Sequence, residues 1–276
     1  MNTHTPLPYV SVTDISSFET GTTTDKDGFF RLNIPDTSES VLKLRFSCVG
    51  FRDTIIRIQS KQDYIKVFLS ERKYPLPAIV IQSSALSEQK IGISEGQILR
   101  DSNGDPLGVL PSKSAGFGFG VFVDLSEVKN GIVKSLDYYL LPKGKPQTPF
   151  ILRFMIAEEA IRPNIMYPIE MFSDLVHEPI IVKGKAGWNT ISLIDYNIPI
   201  QGKSFFILFT PIEGGDQYKW NDAEKEWYGM ILGRYKKRKV KGLYWAVRAE
   251  ETYSYDDTPF QRKINPAIVL RYLTDP

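Results

Sequence analysis

Residues 21–35 read Gly-Thr-Thr-Thr-Asp-Lys-Asp-Gly-Phe-Phe-Arg-Leu-Asn-Ile-Pro, and residues 41–51 read Val-Leu-Lys-Leu-Arg-Phe-Ser-Cys-Val-Gly-Phe. Phe30, Leu32 and Ile34 alternate onto one face, as do Leu42, Leu44, Phe46 and Cys48. A period of two marks half-buried antiparallel strands. Asp25, Asp27 and Gly28 supply the positive-φ turn of a tight hairpin. The stretch predicts a small β-sandwich and, by itself, no activity.

The same pattern extends on both sides. Strand candidates in residues 1–82 are 10–13, 21–24, 29–34, 41–48, 54–58, 65–69 and 79–81, separated by Gly, Pro, Asp or Ser. Short strands at this spacing, with no helical period, predict a seven-strand β-sandwich. Residues 83–114 turn polar and irregular, as in Asp101-Ser102-Asn103-Gly104-Asp105-Pro106, and read as a linker with one short element at 96–100. Residues 115–276 carry nine further candidates: 119–124, 132–141, 150–157, 180–182, 189–193, 204–211, 227–233, 244–250 and 267–272. Residues 151–156 and 205–209 are nearly continuous apolar runs, suited to strands covered on both faces. The expected architecture is all-β, with a jelly-roll-like sandwich following the first.

Composition narrows the classes. The chain has 276 residues and a net charge of +2, so no global attraction to nucleic acid is expected. Cys48 is the single cysteine, which rules out an intrachain disulfide or a multi-thiolate zinc site. Its place in the alternation makes it a small core residue, not a reactive thiol. No apolar run reaches the ~20 residues of a membrane-spanning helix. The first residues lack the basic start and apolar core of a signal peptide, so the chain reads as soluble.

The N-terminal third resembles the carboxypeptidase-regulatory-like, transthyretin-like domain of Bacteroidetes surface and periplasmic proteins. The residues that carry the resemblance are 5–12 (Thr-Pro-Leu-Pro-Tyr-Val-Ser-Val), 21–30, 44–51 and 77–81 (Pro-Ala-Ile-Val-Ile). Gly28 fits its hairpin, Phe30 its core, and Gly50-Phe51 its strand end. The family usually opens with a Gly-x-Val-x-Asp strand, and this sequence starts after it, so either the start is trimmed or an edge strand comes from elsewhere. Such an edge would be open to strand addition by a partner. The resemblance implies a non-catalytic appendage in a periplasmic, outer-membrane or cell-surface protein. Residues 187–193 and 205–209 are similar to the sandwich that follows the module in other members, and they bring no catalytic residues with them.

Each candidate chemistry in the chain has a plainer structural alternative. A zinc peptidase needs several ligands, and only His4 and His177 exist. Gly-x-Ser-x-Gly is absent, and His177 reads as a loop residue before the strand at 180. The glycines at 116, 118 and 120 enter a strand and not a helix, so they suit close sheet packing and not phosphate binding. Asp25-Lys26-Asp27-Gly28 opens like a calcium loop but lacks the later ligands, and the turn reading is preferred. Glu158 and Glu159 would point to opposite faces of a strand, a poor acid/base pair. No catalytic residue, metal site or cofactor is therefore expected.

Two surface features remain. The polar, Gly-led segment 214–228 holds Tyr218, Trp220, Asp222, Trp227 and Tyr228, the flat apolar faces and directed polar groups that a sugar site uses. The alternative is that Trp227 and Tyr228 begin a strand while Trp220 packs the loop down. Lys236, Lys237, Arg238 and Lys239 form the one charge run, read as an exposed hairpin tip and a candidate anion contact. The sequence thus predicts a non-enzymatic, envelope-associated binding or structural protein with a polysaccharide or envelope-protein partner. The second reading is carbohydrate binding through segment 214–228.

Overall fold

The computed structural model describes residues 5–17, 19–34, 41–59, 63–72, 86–92, 98–108, 112–157, 159–201, 204–222, 225–235, 240, 242–249, 252–256 and 265–275. Every extended ladder is antiparallel, and among the described residues the helices are three single 3-10 turns. The first unit contributes β1 (Ser11–Asp14), β2 (Gly21–Thr23), β3 (Val41–Ser47) and β4 (Thr54–Gln59). The second runs through β5 (Ser87–Gly92), β6 (Phe119–Val123), β7 (Gly131–Leu140), β8 (Phe150–Ala157), β9 (Tyr167–Pro168), β10 (Phe172–Asp174) and β11 (Ile180–Val182). It continues with β12 (Gly187–Ser192), β13 (Pro199–Ile200), β14 (Phe205–Pro211), β15 (Lys219–Asp222), β16 (Lys225–Tyr228) and β17 (Arg234–Tyr235). β18 (Leu243–Ala249), β19 (Thr252–Asp256), β20 (Asn265–Pro266) and β21 (Ile268–Thr274) complete it.

The first unit is a four-stranded sheet ordered β2-β1-β3-β4. Val12 lies opposite Phe46, and Leu44 opposite Ile56, so one face gathers Val10, Val12, Leu42, Leu44, Phe46, Cys48 and Ile58. The turn forms as the sequence requires: the Asp25 carboxylate accepts from the amides of Asp27 (2.9 Å) and Phe29 (3.0 Å), and Gly28 sits at φ +77°. Asp25 is thereby spent on its own backbone, which is the Asx-turn role and not a calcium ligand.

Seven hydrogen-bonded strands were expected here, and the described residues form four. Residues 29–34 and 65–69 lie outside any ladder. Their alternation is nonetheless real: Phe30, Leu32, Ile34, Ile65, Val67 and Leu69 pack onto the sheet's apolar face. Phe30 meets Phe46 edge-on at 5.6 Å. Alternation reports which face is buried, and it does not name a hydrogen-bond partner. The candidate at 79–81 lies outside the described residues.

The second unit faces an eight-stranded sheet, β10-β8-β14-β6-β18-β19-β9 with β11 also on β8, against a five-stranded one, β12-β7-β21-β5 with β13 on β7. Tyr138 on β7 ties the layers, meeting Phe150 at 5.8 Å and Phe209 at 6.1 Å. All of β8 is buried, because Phe150, Leu152 and Phe154 enter the main core while Met155 and Ala157 join a second cluster with Phe206 and Phe172 on the opposite face. The continuous apolar runs are therefore doubly covered strands. The segment read as a linker supplies β5, at 87–92 and not at 96–100, and β5 pairs with β21. Of the predicted short element at 96–100, residues 96 and 97 lie outside the described residues, and Ile98 and Arg100 make single bridges.

Candidate functional site

Arg153 is the one charged residue inside the apolar run of β8, and it marks where the two units meet. Its Nε and Nη2 donate to the two oxygens of Asp174 on β10, the latter at 2.9 Å. Its Nη1 donates to Ser47 Oγ at 2.6 Å, and Nη2 also reaches the Cys48 carbonyl at 3.4 Å. Both of these partners belong to the first unit. Asp174 in turn accepts from the Gly50 amide at 3.0 Å. Within the first unit, Arg45 donates through Nε (2.7 Å) and Nη2 to one oxygen of Asp53, whose other oxygen accepts from Ser47 at 2.8 Å.

Two arginines and two aspartates thus form a neutral buried quartet. Arg45 is fully buried, and Asp53 and Arg153 lie 3.7 Å apart across the junction. Next to this quartet Val49 inserts into the core of the second unit. The second unit also grips β2: Gly116, at φ +80°, packs on the Thr22 carbonyl, where a Cβ would approach to 2.6 Å. Only glycine tolerates both that dihedral and that contact. Thr23 Oγ1 accepts from the Glu213 amide at 2.8 Å.

A cleft of about 80 Å³ opens beside the quartet, lined by Phe51, Arg52, Arg72, Met155, Glu170 and Phe172 among others. A second, of about 180 Å³, lies between Lys90, Tyr272 and residues 124–128. Small-molecule sites usually span ~300 Å³ or more. Both hollows therefore suit water or a single side chain. Cys48, beside the quartet, has its thiol pushed up from 9.0 to about 11 by burial, with Arg153 opposing and Asp174 and Asp53 adding to the rise. It stays a thiol at neutral pH and behaves as core. His177 is exposed in the turn between β10 and β11.

The aromatic segment is a hairpin and not an open loop. β15 and β16 pair with Lys219 opposite Tyr228, Trp220 opposite Trp227, Asn221 opposite Glu226 and Asp222 opposite Lys225. Direct partners share a face, so Trp220 and Trp227 stand opposite each other on one face, both half-buried. Trp220 Nε1 donates to the Gly229 carbonyl at 3.1 Å, which fixes the indole edge. Asp222 is bridged by Lys143 at 2.8 Å. Tyr218 is half-buried and meets Tyr228 edge-on at 6.4 Å.

Tyr228 is the exception among the predicted site residues. It is 2% exposed, and its hydroxyl donates to the Ile212 carbonyl (3.2 Å) and accepts from the Gly214 amide (3.0 Å). Burial, then the charge of Glu213, push its pKa up. Tyr228 therefore anchors the hairpin base and is not presented to a ligand. Lys236, Lys237, Arg238 and Lys239 lie outside the described residues. Sequence reasoning missed the quartet, whose members are scattered from 45 to 174. The available signal was an arginine in the middle of Ile151-Leu152-Arg153-Phe154-Met155-Ile156.

An all-β protein of packed antiparallel sheets, with a small N-terminal module, is the class this geometry defines. Residues 1–81 match the family described as CarboxypepD_reg-like domain, so the N-terminal part of the chain carries a carboxypeptidase-regulatory-like domain. Domains of this kind are regulatory and non-catalytic. No curated protein matches the chain. Two solved structures of infectious bursal disease virus are loosely similar. The Gx strain shares 12% identity at a TM-score of 0.21 over 98% of this chain and 63% of that one. The Gt strain shares 9% at 0.21 over 98% and 62%. The chain thus spans about three fifths of those viral chains, and likeness this loose carries no argument.

Two outcomes test the junction. Asp174→Ala leaves the Arg153 charge buried with its carboxylate gone, and it is expected to cost about 3 kcal/mol or more in urea unfolding followed by tryptophan emission. The paired change Arg153→Met with Asp174→Leu removes both charges and is expected to cost less than the single change. A single-variant loss below about 1 kcal/mol contradicts the account.

The second outcome concerns pH. Well below pH 9.0 the Cys48 thiol is protonated in both states, and between there and about 11 the unfolded chain ionises first. Stability therefore falls as pH rises through that window. Cys48→Ala is expected to flatten this part of the alkaline slope, read as urea midpoints at about pH 8 and about pH 10.5. An unchanged slope contradicts it.

Proposed function

We propose that the protein acts without catalysis, as a binding or structural component associated with the cell envelope, in which the regulatory-like module is a fixed brace for the larger sandwich. The observation that carries this reading is Arg153: one buried guanidinium engaged by both units makes the module part of one body and not a swinging appendage. A module fixed in this way supports presentation of a surface, and the resemblance of the N-terminal third supports the envelope setting. Of the two edges of the module sheet, β2 abuts Gly116 and Glu213 of the larger unit. Strand addition by a partner is expected at the N-terminal edge of the module; the larger unit covers β2, and among the described residues β4 has no further ladder partner.

A second reading is carbohydrate binding at the β15–β16 hairpin. Its specific support is the cross-strand pair of Trp220 and Trp227, two indoles opposite each other on one face with Asp222 adjacent. Paired indoles offer the flat apolar surface on which a sugar ring stacks.

Titration with a panel of envelope and dietary polysaccharides, followed by tryptophan emission, separates the two. The glycan reading expects a saturable change that Trp220→Ala abolishes, by about tenfold or more in affinity. A flat response across the panel removes the glycan reading and leaves the structural or protein-partner role. Sustained hydrolysis of any polysaccharide in the same panel contradicts both.

A further inference from the structure

The hairpin has two faces of different charge. On one, Lys219 is held by Asp216 (3.0 Å) and Glu226 (3.5 Å), so its charge is spent. On the other stand Trp220 and Trp227 in one register pair and Asp222 and Lys225 in the next. Asp222 is neutralised by Lys143, which reaches over from the β7–β8 connection. Lys225 is exposed, and its side chain has no ion pair or hydrogen bond among the described residues. The face therefore presents two adjacent indoles and one uncompensated positive charge.

We propose that this face takes a polysaccharide bearing uronic-acid carboxylates. The inference rests on the glycan reading of the hairpin and gives it a substrate class. A pyranose ring lies with its C–H face on an indole, which leaves its substituents at the rim. In a uronic acid one of these is a carboxylate. Lys225 and Trp227 are two residues apart on one strand, about 7 Å along it, with side chains on the same face. The four-carbon stem of the lysine lets the ammonium reach the carboxylate of the stacked ring or of the next one. The Trp220 indole is already fixed at its N–H by the Gly229 carbonyl, so stacking on it orders little that is not ordered. A neutral sugar would use the indoles and leave the lysine to water. Only an acidic one uses both.

The test compares short galacturonic-acid oligomers with their fully methyl-esterified forms, which keep ring and linkage and differ in charge alone. Binding to the intact protein is followed by tryptophan emission and by calorimetry. The acidic oligomer is expected to bind about fivefold more tightly than the ester, with the advantage shrinking as salt rises. Lys225→Gln is expected to erase that advantage while leaving ester binding unchanged, and Trp227→Ala to weaken both. Equal binding of acid and ester overturns the inference and leaves the glycan reading intact. Acid-selective binding that survives Trp220→Ala and Trp227→Ala overturns it too, because the charge would then be met elsewhere. Binding of neither form removes the glycan reading together with the inference.

Discussion

The Arg153 guanidinium lies buried on β8 with hydrogen-bond partners in both units. A charge inside a sheet strand costs several kcal/mol to desolvate unless its hydrogen bonds are met. Asp174, on the neighbouring strand, meets part of the need from within the second unit, and Ser47 and the Cys48 carbonyl meet the remainder from the first. The buried charge is therefore satisfied only when the two units are docked. Asp53 and Arg45 close the arrangement from the module side, so that it is neutral. Such a cluster adds little net stability over a well-packed apolar one, but it strongly disfavours any arrangement that separates its parts. Its contribution is to fix the mode of docking.

Other features follow from that geometry. β8 carries Arg153 on a strand whose every residue is buried, because the five-stranded sheet covers one of its faces and residues such as Ile169 and Phe172 the other. Val49 leaves the module and enters the larger core. Gly116 allows the start of β6 to approach Thr22 on β2. The aromatic hairpin stands on Tyr228, which is packed from below and accepts from the Gly214 amide. Its indole face is thus held by the sandwich and not by the tip of the hairpin.

What was legible in the sequence was the part governed by local periodicity. The Asp25–Gly28 turn, the alternating faces on either side of it, and β8 and β14 as doubly buried strands all follow from residues close in the chain. β5 was not legible: Ser-Glu-Gln-Lys-Ile-Gly has no apolar face, and its place comes from backbone pairing with β21 and from Glu88 meeting Lys134 and Arg271. Residues 227–233 read as one strand because they are apolar, yet the ladder ends at Tyr228, and the positive φ of Gly229 turns the chain. Trp220 and Trp227 stand among five ligand candidates in the sequence, but their cross-strand registry depends on a turn that periodicity does not specify. The quartet was the least legible feature, since its members come from two distant stretches of the sequence, 45–53 and 153–174. A buried charge declares itself only as an oddity in an apolar run.

The central claim is that the module and the larger sandwich form one cooperative body through this buried network. Native-state hydrogen exchange at the amides of Leu44 and Phe46 in β3 and of Leu152 and Phe154 in β8 tests it most directly. The account predicts that both sets open with the same free energy, within about 1 kcal/mol, and lose protection together in rising denaturant. Exchange of the β3 amides through an opening several kcal/mol less costly, with β8 still protected, would show that the module unfolds on its own and would contradict the account.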